Sequence, residues 1–161
     1  MSWRDRRTAL ALLAAAALAG CGFTPVYGPG GGGSALFGQV RAADPQTQDD
    51  FAFVRRIQDR LGPEGSRLQL DYALTVAVVP QAISTDQVAT RYSLNGTASY
   101  RLVDAASGAT VTEGQVSNFT SYSSVGTTIA TLTGERDARE RLATMLADQV
   151  VTRLLAAAPA R

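Results

Sequence analysis

Histidine and lysine are both missing from this 161-residue chain, whose fifteen basic side chains are all arginine. Without imidazole the usual acid-base group and the commonest metal ligand are gone, which argues against metal centres and against Ser-His or Cys-His catalysis. No lysine stands in as a base, and no G-x-S-x-G elbow surrounds Ser121, Ser123 or Ser124. The chain therefore reads as a non-enzyme with no cofactor and no metal. Cysteine is nearly absent as well: Cys21 alone cannot close an internal disulfide. Charge of either sign is scarce, with 15 basic against 14 acidic side chains and a net charge of +1. That balance supplies no basic footprint for nucleic acid. No long hydrophobic run reaches the roughly 20 residues of a membrane span. What remains, 45% hydrophobic and 18% charged, suits one globular domain with a modest core.

The longest apolar stretch, Thr8 to Ala17, follows Arg4, Arg6 and Arg7 and precedes small residues, which is the layout of an export signal. Arg6-Arg7 fits either a twin-arginine signal or ordinary charge ahead of the apolar run. Leu18-Ala19-Gly20-Cys21 resembles the lipobox of bacterial lipoproteins. A branched apolar residue fills a peptidase pocket, two small residues admit the backbone, and the sulfur is the atom alkylated. The competing description is a plain small-residue cleavage site beside an incidental cysteine. With the charged region, apolar run and box in register, residues 1–20 are expected to be removed. Cys21 is then expected to become an N-palmitoyl, S-diacylglycerol cysteine, anchored in membrane lipid. The loss of three arginines and Asp5 leaves 12 basic and 13 acidic groups, a net charge of −1. Gly22 stands where aspartate signals inner-membrane retention in many bacteria, so the resemblance implies the periplasmic side of the outer membrane.

Residues 21–35 read as an acylated tether, with Pro25, Gly28, Pro29 and the run Gly30 to Gly33. Phe23, Val26 and Tyr27 exceed what a spacer needs; they suit either the headgroup level of a membrane or a membrane partner.

Residues 36–158 carry the domain. Leu36 to Ala42 alternates as a short strand. Asp49 or Asp50 is expected to cap a helix with Phe51, Val54, Ile57 and Leu61 on its apolar face, stopped at Gly62-Pro63. RLQLDYALTVAVVP is a strand with Leu68, Leu70, Tyr72, Leu74, Val76 and Val78 on one face, followed by a linker, Pro80 to Gln87. RYSLNGTASYRLVD is a second long strand, with a weak or bulged centre at Asn95-Gly96. Thr110 to Ser123 returns with a phase slip that implies a bulge near Gly114 or an edge position. A helix is expected from Thr133-Gly134, striped by Leu142, Met145, Leu146, Val150, Leu154 and Leu155. The expected class is α+β: two amphipathic helices packed on one face of a small, mostly antiparallel (mixed) four-stranded sheet. Tyr72, Tyr92 and Tyr100 fall at core parity, while Asp49-Asp50 and Glu113 make no convincing acid-base couple.

CGFTPVYG, RYSLNGTASYRLVDAASGATVTEGQVSNFTSY and ERDARERLATMLADQVVTRLLA, in that order behind a lipobox, resemble the alphaproteobacterial form of the lipopolysaccharide-assembly lipoprotein family LptE. The resemblance covers essentially the whole chain after Cys21. It implies an outer-membrane lipoprotein that plugs the β-barrel LptD, helps it assemble, and takes part in delivering lipopolysaccharide to the cell surface. Lipopolysaccharide binding, which the resemblance also implies, makes Arg91 and Arg101 candidate contacts to lipid A phosphates. Solvated strand charges describe either arginine equally well. A lipid-binding auxiliary lipoprotein of an ABC-type envelope transport system shares the lipobox, size and α+β layout; the C-G-F-x-P-x-Y start and the R-D-A-R-E-R helix favour the first reading.

Overall fold

Alternation of apolar and polar residues along the middle of the chain produces strands of unusual length. The computed structural model describes residues 32–83 and 89–158, so Cys21, Phe23, Val26 and Tyr27 lie outside the described residues. Strands β1 (Val40–Ala42), β2 (Leu68–Ile83), β3 (Ala89–Asp104) and β4 (Thr110–Ser123) form one sheet in the order β1-β2-β3-β4. β1 runs parallel to β2, whereas β2 with β3 and β3 with β4 are antiparallel. Helices α1 (Gly32–Leu36), α2 (Gln48–Leu61) and α3 (Thr128–Ala157) complete the described chain. The α+β class expected from the sequence is the class observed.

Both long helices cover the same side of the sheet. Phe53 of α2 stacks near Tyr72 of β2, with ring centroids 4.8 Å apart. α3 crosses β3 at Gly96, where a Cβ would meet Leu142 Cδ2 at 2.8 Å and Leu146 Cδ1 at 3.0 Å. That approach explains the glycine in the middle of a strand. The core closes around Phe53, Leu70, Leu94, Leu102, Leu142, Leu146, Val150, Val151 and Leu154, all fully buried.

Several boundaries differ from those expected. Leu36 ends a helical turn instead of opening a strand, and Gly32 to Ala35, assigned to the tether, belong to that turn. Gly38, at φ +66°, separates it from β1, since only the left-handed region lets the chain reverse there. The α2 cap is Thr47, whose hydroxyl accepts from the Asp50 N–H at 3.2 Å while the Asp50 carboxylate accepts from the Thr47 N–H at 2.9 Å. This reciprocal arrangement satisfies two backbone donors at once. Phe51 lies on the outside of α2, and Phe53 takes the buried place. β2 runs on to Ile83 rather than ending at Pro80, with a register irregularity beside the proline. Of the expected linker, only residues 84–87 lie outside the described residues.

Pairing through Asn95-Gly96 is regular on both sides, so the bulge expected there is absent. β4 is an edge strand, as one of the two expectations had it, and its irregularity falls between Leu102 and Val103, opposite Thr112 and Thr110, not at Gly114. Val111 is the extra residue, which shifts parity and puts Val116 inside and Phe119 outside. α3 begins at Thr128, more than a turn before Gly134, because the Thr127 hydroxyl accepts from the Ala130 N–H at 3.2 Å. Among the described residues no helix is long and apolar enough to cross a membrane.

Tyr72 shows a consequence of this packing. Burial, followed by the negative charges of Asp50 and Asp44, pushes its hydroxyl from 10.0 up to about 12. A folded-state value raised above the unfolded one means the folded chain keeps its proton while the unfolded chain loses it. Stability is accordingly complete below about pH 10 and falls as the pH climbs from about 10 towards about 12. Alkaline urea-melting curves should show this decline, and Tyr72→Phe should reduce its slope; an unchanged slope would count against the partly buried hydroxyl as its source.

Candidate functional site: the uncovered face of the sheet

Strand alternation sends the apolar half of β2, β3 and β4 under the helices and the other half outward. On the outward face lie Gln69, Asp71, Ala73, Thr75 and Ala77 of β2, Asn95, Ser99 and Arg101 of β3, and Gln115, Ser117, Phe119 and Ser121 of β4, all exposed. The register arranges them in rows: Ala73–Ser99–Gln115, Thr75–Thr97–Ser117, Ala77–Asn95–Phe119 and Val79–Ser93–Ser121. These four rows carry hydroxyls, amides, small side chains and one exposed ring, with no formal charge. Ser93 is buried within this surface, where its hydroxyl donates to Asn95 Oδ1 at 3.1 Å. A sheet with one dry and one wet face is a normal antiparallel arrangement, and the wet face is left free for a partner.

Charge enters at the next row, Asp71–Arg101–Glu113. The Arg101 Nε donates to Glu113 Oε2 at 3.0 Å, an exposed cross-strand pair of small energetic weight. Arg91 stands opposite Ser123 at the other end of β3, exposed, with no carboxylate paired to it among the described residues. Ten strand residues separate the two arginines, about 33 Å. They share a face, but one phosphate group cannot bridge them.

The acidic residues weighed as possible acid-base partners have structural roles. Asp50 closes the α2 cap, Glu113 holds Arg101, and Asp49 Oδ2 accepts from Arg139 at 3.2 Å. Ser123, one of the nominal nucleophiles, donates to the Thr90 carbonyl at 3.3 Å. Tyr92 stacks on Tyr122 at 5.3 Å, Tyr100 is buried, and Tyr72 packs on Phe53, so the three tyrosines at core parity do pack. Among the described residues no group of three His, Cys, Asp or Glu side chains is placed to hold a metal ion.

A second surface escaped the sequence pattern. Between α2 and α3 runs a groove of about 600 Å³, lined by Phe51, Ala52 and Leu132 and by Arg55, Arg136 and Arg139. Leu132 is 60% exposed and Ile129, one turn earlier, 78%. The only legible signal was an apolar residue at each of positions 125, 129 and 132, which a helix beginning at Gly134 would have left in a loop. Ion pairs tie the groove's walls together: Arg55 to Glu140 at 2.6 Å, and Arg139 to Glu135 at 2.9 Å as well as to Asp49. Burial works against the Arg139 charge, but the hydrogen bond to Glu135 and the Asp49 charge outweigh it and hold the guanidinium above its ordinary range. Further along, Asp148 takes Arg56 at 3.0 Å and Arg60 at 2.6 Å.

The same layout occurs in known proteins. A Caulobacter crescentus CB15 crystal structure classed as a lipoprotein superposes with a TM-score of 0.60 at 23% identity, covering 78% of this chain and 93% of the other. Lipoprotein B from Nitrosomonas europaea gives a TM-score of 0.58 at 13% identity over 74% of this chain and 83% of the other. Rare lipoprotein B from Shewanella oneidensis gives 0.55 at 9% identity, over 73% and 92%. At such identities the likeness is one of fold. No curated protein sequence matches. The family profile described as LptE, lipopolysaccharide-assembly, matches residues 39–154, from the loop before β1 almost to the end of α3. That match takes in the whole sheet and both long helices, and the chain belongs to the LptE family of lipopolysaccharide assembly.

Proposed function

We propose that this protein is an outer-membrane lipoprotein, acylated at Cys21 and held on the periplasmic side, that plugs and stabilises the LptD β-barrel during delivery of lipopolysaccharide to the cell surface. The observation that carries the reading is the family match over residues 39–154. The outer sheet face supports it, because its four central rows are uncharged and rich in hydroxyls, and such rows can meet the polar interior of a large barrel without burying an unpaired ion. The long axis supports it too: strands of 16 residues extend about 50 Å, more than the thickness of a bilayer's hydrocarbon core. In this reading Arg91 and Arg101 act separately, each offering a guanidinium to a phosphate of lipid A.

Affinity purification of the tagged full chain from outer membranes in mild detergent tests the proposal. A large β-barrel protein should co-purify, and depletion of the chain should reduce lipopolysaccharide at the surface. Recovery without a barrel, or normal surface lipopolysaccharide after depletion, would overturn it.

A further inference from the structure

β4 ends the sheet on one side, and a single bond fixes which of its backbone groups are used: the Ser124 N–H donates to the Thr90 carbonyl at 3.1 Å. Antiparallel pairs alternate between bonded and non-bonded. Counting back along the register, the even-numbered residues from Thr112 to Tyr122 turn their backbone groups towards β3, whereas Glu113, Gln115, Ser117, Phe119 and Ser121 turn theirs to the open edge. The C-terminal part of that edge is blocked. Asn118 Oδ1 accepts from the Phe119 N–H at 2.9 Å, and the Ser121 carbonyl accepts from Arg141 at 3.5 Å. The outward backbone groups of Glu113, Gln115 and Ser117 have no such partner among the described residues, and β4 carries neither the proline nor the lysine that commonly protects an edge.

This unblocked stretch is also where the edge borders a cleft. A space of about 460 Å³ separates it from α3, with Gln115 and Ser117 on one side and Asp148, Gln149 and Arg153 on the other. We infer that the cleft takes an extended segment of another polypeptide, added antiparallel to β4 as a fifth strand, with a carboxylate side chain facing Arg153. The backbone supplies the affinity: each outward residue offers one N–H and one C=O, the groups by which a sheet edge recruits a strand. Charge supplies the selectivity. Asp148 is already held by Arg56 at 3.0 Å and Arg60 at 2.6 Å, so its carboxylate is neutralised. Arg153 is exposed and has no ionic partner among the described residues, which leaves the cleft cationic.

A second copy of this chain does not meet that requirement. Side chains of an added strand alternate, and only those on the helix side reach α3. On β4 itself that parity holds Thr112, Gly114, Val116 and Asn118, none of them acidic, while Glu113 lies on the opposite face beside Arg101. Pairing β4 with its own copy therefore leaves Arg153 without an anion. The edge is distinct from the outward face of the sheet, and the inference stands whether or not that face meets a barrel.

A titration decides it. The probe is the fluorescein-labelled peptide T-V-T-E-T-V-T, whose glutamate and valines share one face, and its fluorescence anisotropy is followed as the full chain in mild detergent is added. Binding should saturate, and should weaken several-fold when glutamine replaces the glutamate. Methylating the threonine amide nitrogens, which face β4 in the antiparallel pairing, should abolish binding; methylating the valine nitrogens, which face away, should leave it. Ser117→Pro removes an outward N–H and leaves the β3 ladder intact, a change that edge strands tolerate, and it should cost most of the affinity while the far-ultraviolet circular dichroism stays native. Arg153→Gln, at an exposed position, should erase the difference between the glutamate and glutamine peptides, and it serves if the proline variant does not fold. Absence of saturable binding overturns the inference, as does equal binding of the two peptides or binding that survives threonine methylation. A dimer in light scattering that Ser117→Pro dissociates overturns it too, because the edge then belongs to a second copy. Co-purification of a barrel is read separately and is unaffected by these results.

Discussion

Replacing Cys21 with alanine is expected to remove all lipid label from the protein and to slow removal of residues 1–20. The proposed modification places three acyl chains on one residue, each buried methylene contributing about 0.8 kcal/mol to membrane attachment. One such chain gives only reversible binding, whereas two anchoring signals suffice for stable attachment. The variant should therefore lose outer-membrane retention almost completely, and what is processed should appear in the soluble periplasmic fraction. Metabolic labelling with palmitate, followed by membrane fractionation, reads both effects. Lipid label that persists on the alanine variant would refute the anchor. The fold should be untouched, because Cys21 lies eleven residues before the first described helix.

The second large effect lies in the core. Phe53 is fully buried and stacks on Tyr72, at the place where α2 meets the sheet. Phe53→Ala removes a ring from a packed interior and leaves a cavity, a change that costs about 3–5 kcal/mol. Against a total stability of about 5–15 kcal/mol for a domain, that is enough to leave a large unfolded fraction on mild warming. Phe51→Ala, two residues away and 61% exposed in the native chain, should shift the urea midpoint by no more than about 0.5 kcal/mol equivalent. The contrast is the sharper test: equal losses at the two positions would mean that α2 presents a different face.

That pair of phenylalanines shows where periodicity stops being informative. Phe51, Val54, Ile57 and Leu61 satisfy a helical stripe, and so do Phe53, Ile57 and Leu61 with Val54. Three-residue and four-residue spacings overlap, and only the position of α3, tied to α2 through Asp148, Arg56 and Arg60, settles which face turns inward. The strands were easier, because a period of two leaves no comparable choice. Leu68, Leu70, Tyr72, Leu94, Ala98, Tyr100 and Leu102 all face the helices as their parity requires. At Asn95-Gly96 turn chemistry and alternation disagreed, and alternation was right that the strand continues. The reason for the glycine, Leu142 and Leu146 pressing on it from α3, is a contact between segments some fifty residues apart.

The candidate site divides in the same way. That one sheet face is polar, and that Arg91 and Arg101 both belong to it, follows from parity alone. That the two arginines stand about 33 Å apart on a single strand also follows from counting residues. Pairing of Arg101 with Glu113 depends on which residue of β4 lies opposite, a register set by the bulge at Val111. The groove between α2 and α3 left only the apolar residues at 125, 129 and 132 as a signal, because its walls come from separate helices and the first turns of α3 looked like a polar loop.

Local chemistry in the sequence was thus sufficient for the lipobox-like box, the lack of histidine and lysine, the strand faces and the α+β class. Each depends on neighbouring residues or on a short period, which the chain carries without reference to anything distant. Tertiary structure alone decided the buried face of α2 and the bulge at Val111. In each of these cases two or more local arrangements are nearly equal in energy, and the choice between them is made by packing against a segment far away in the chain.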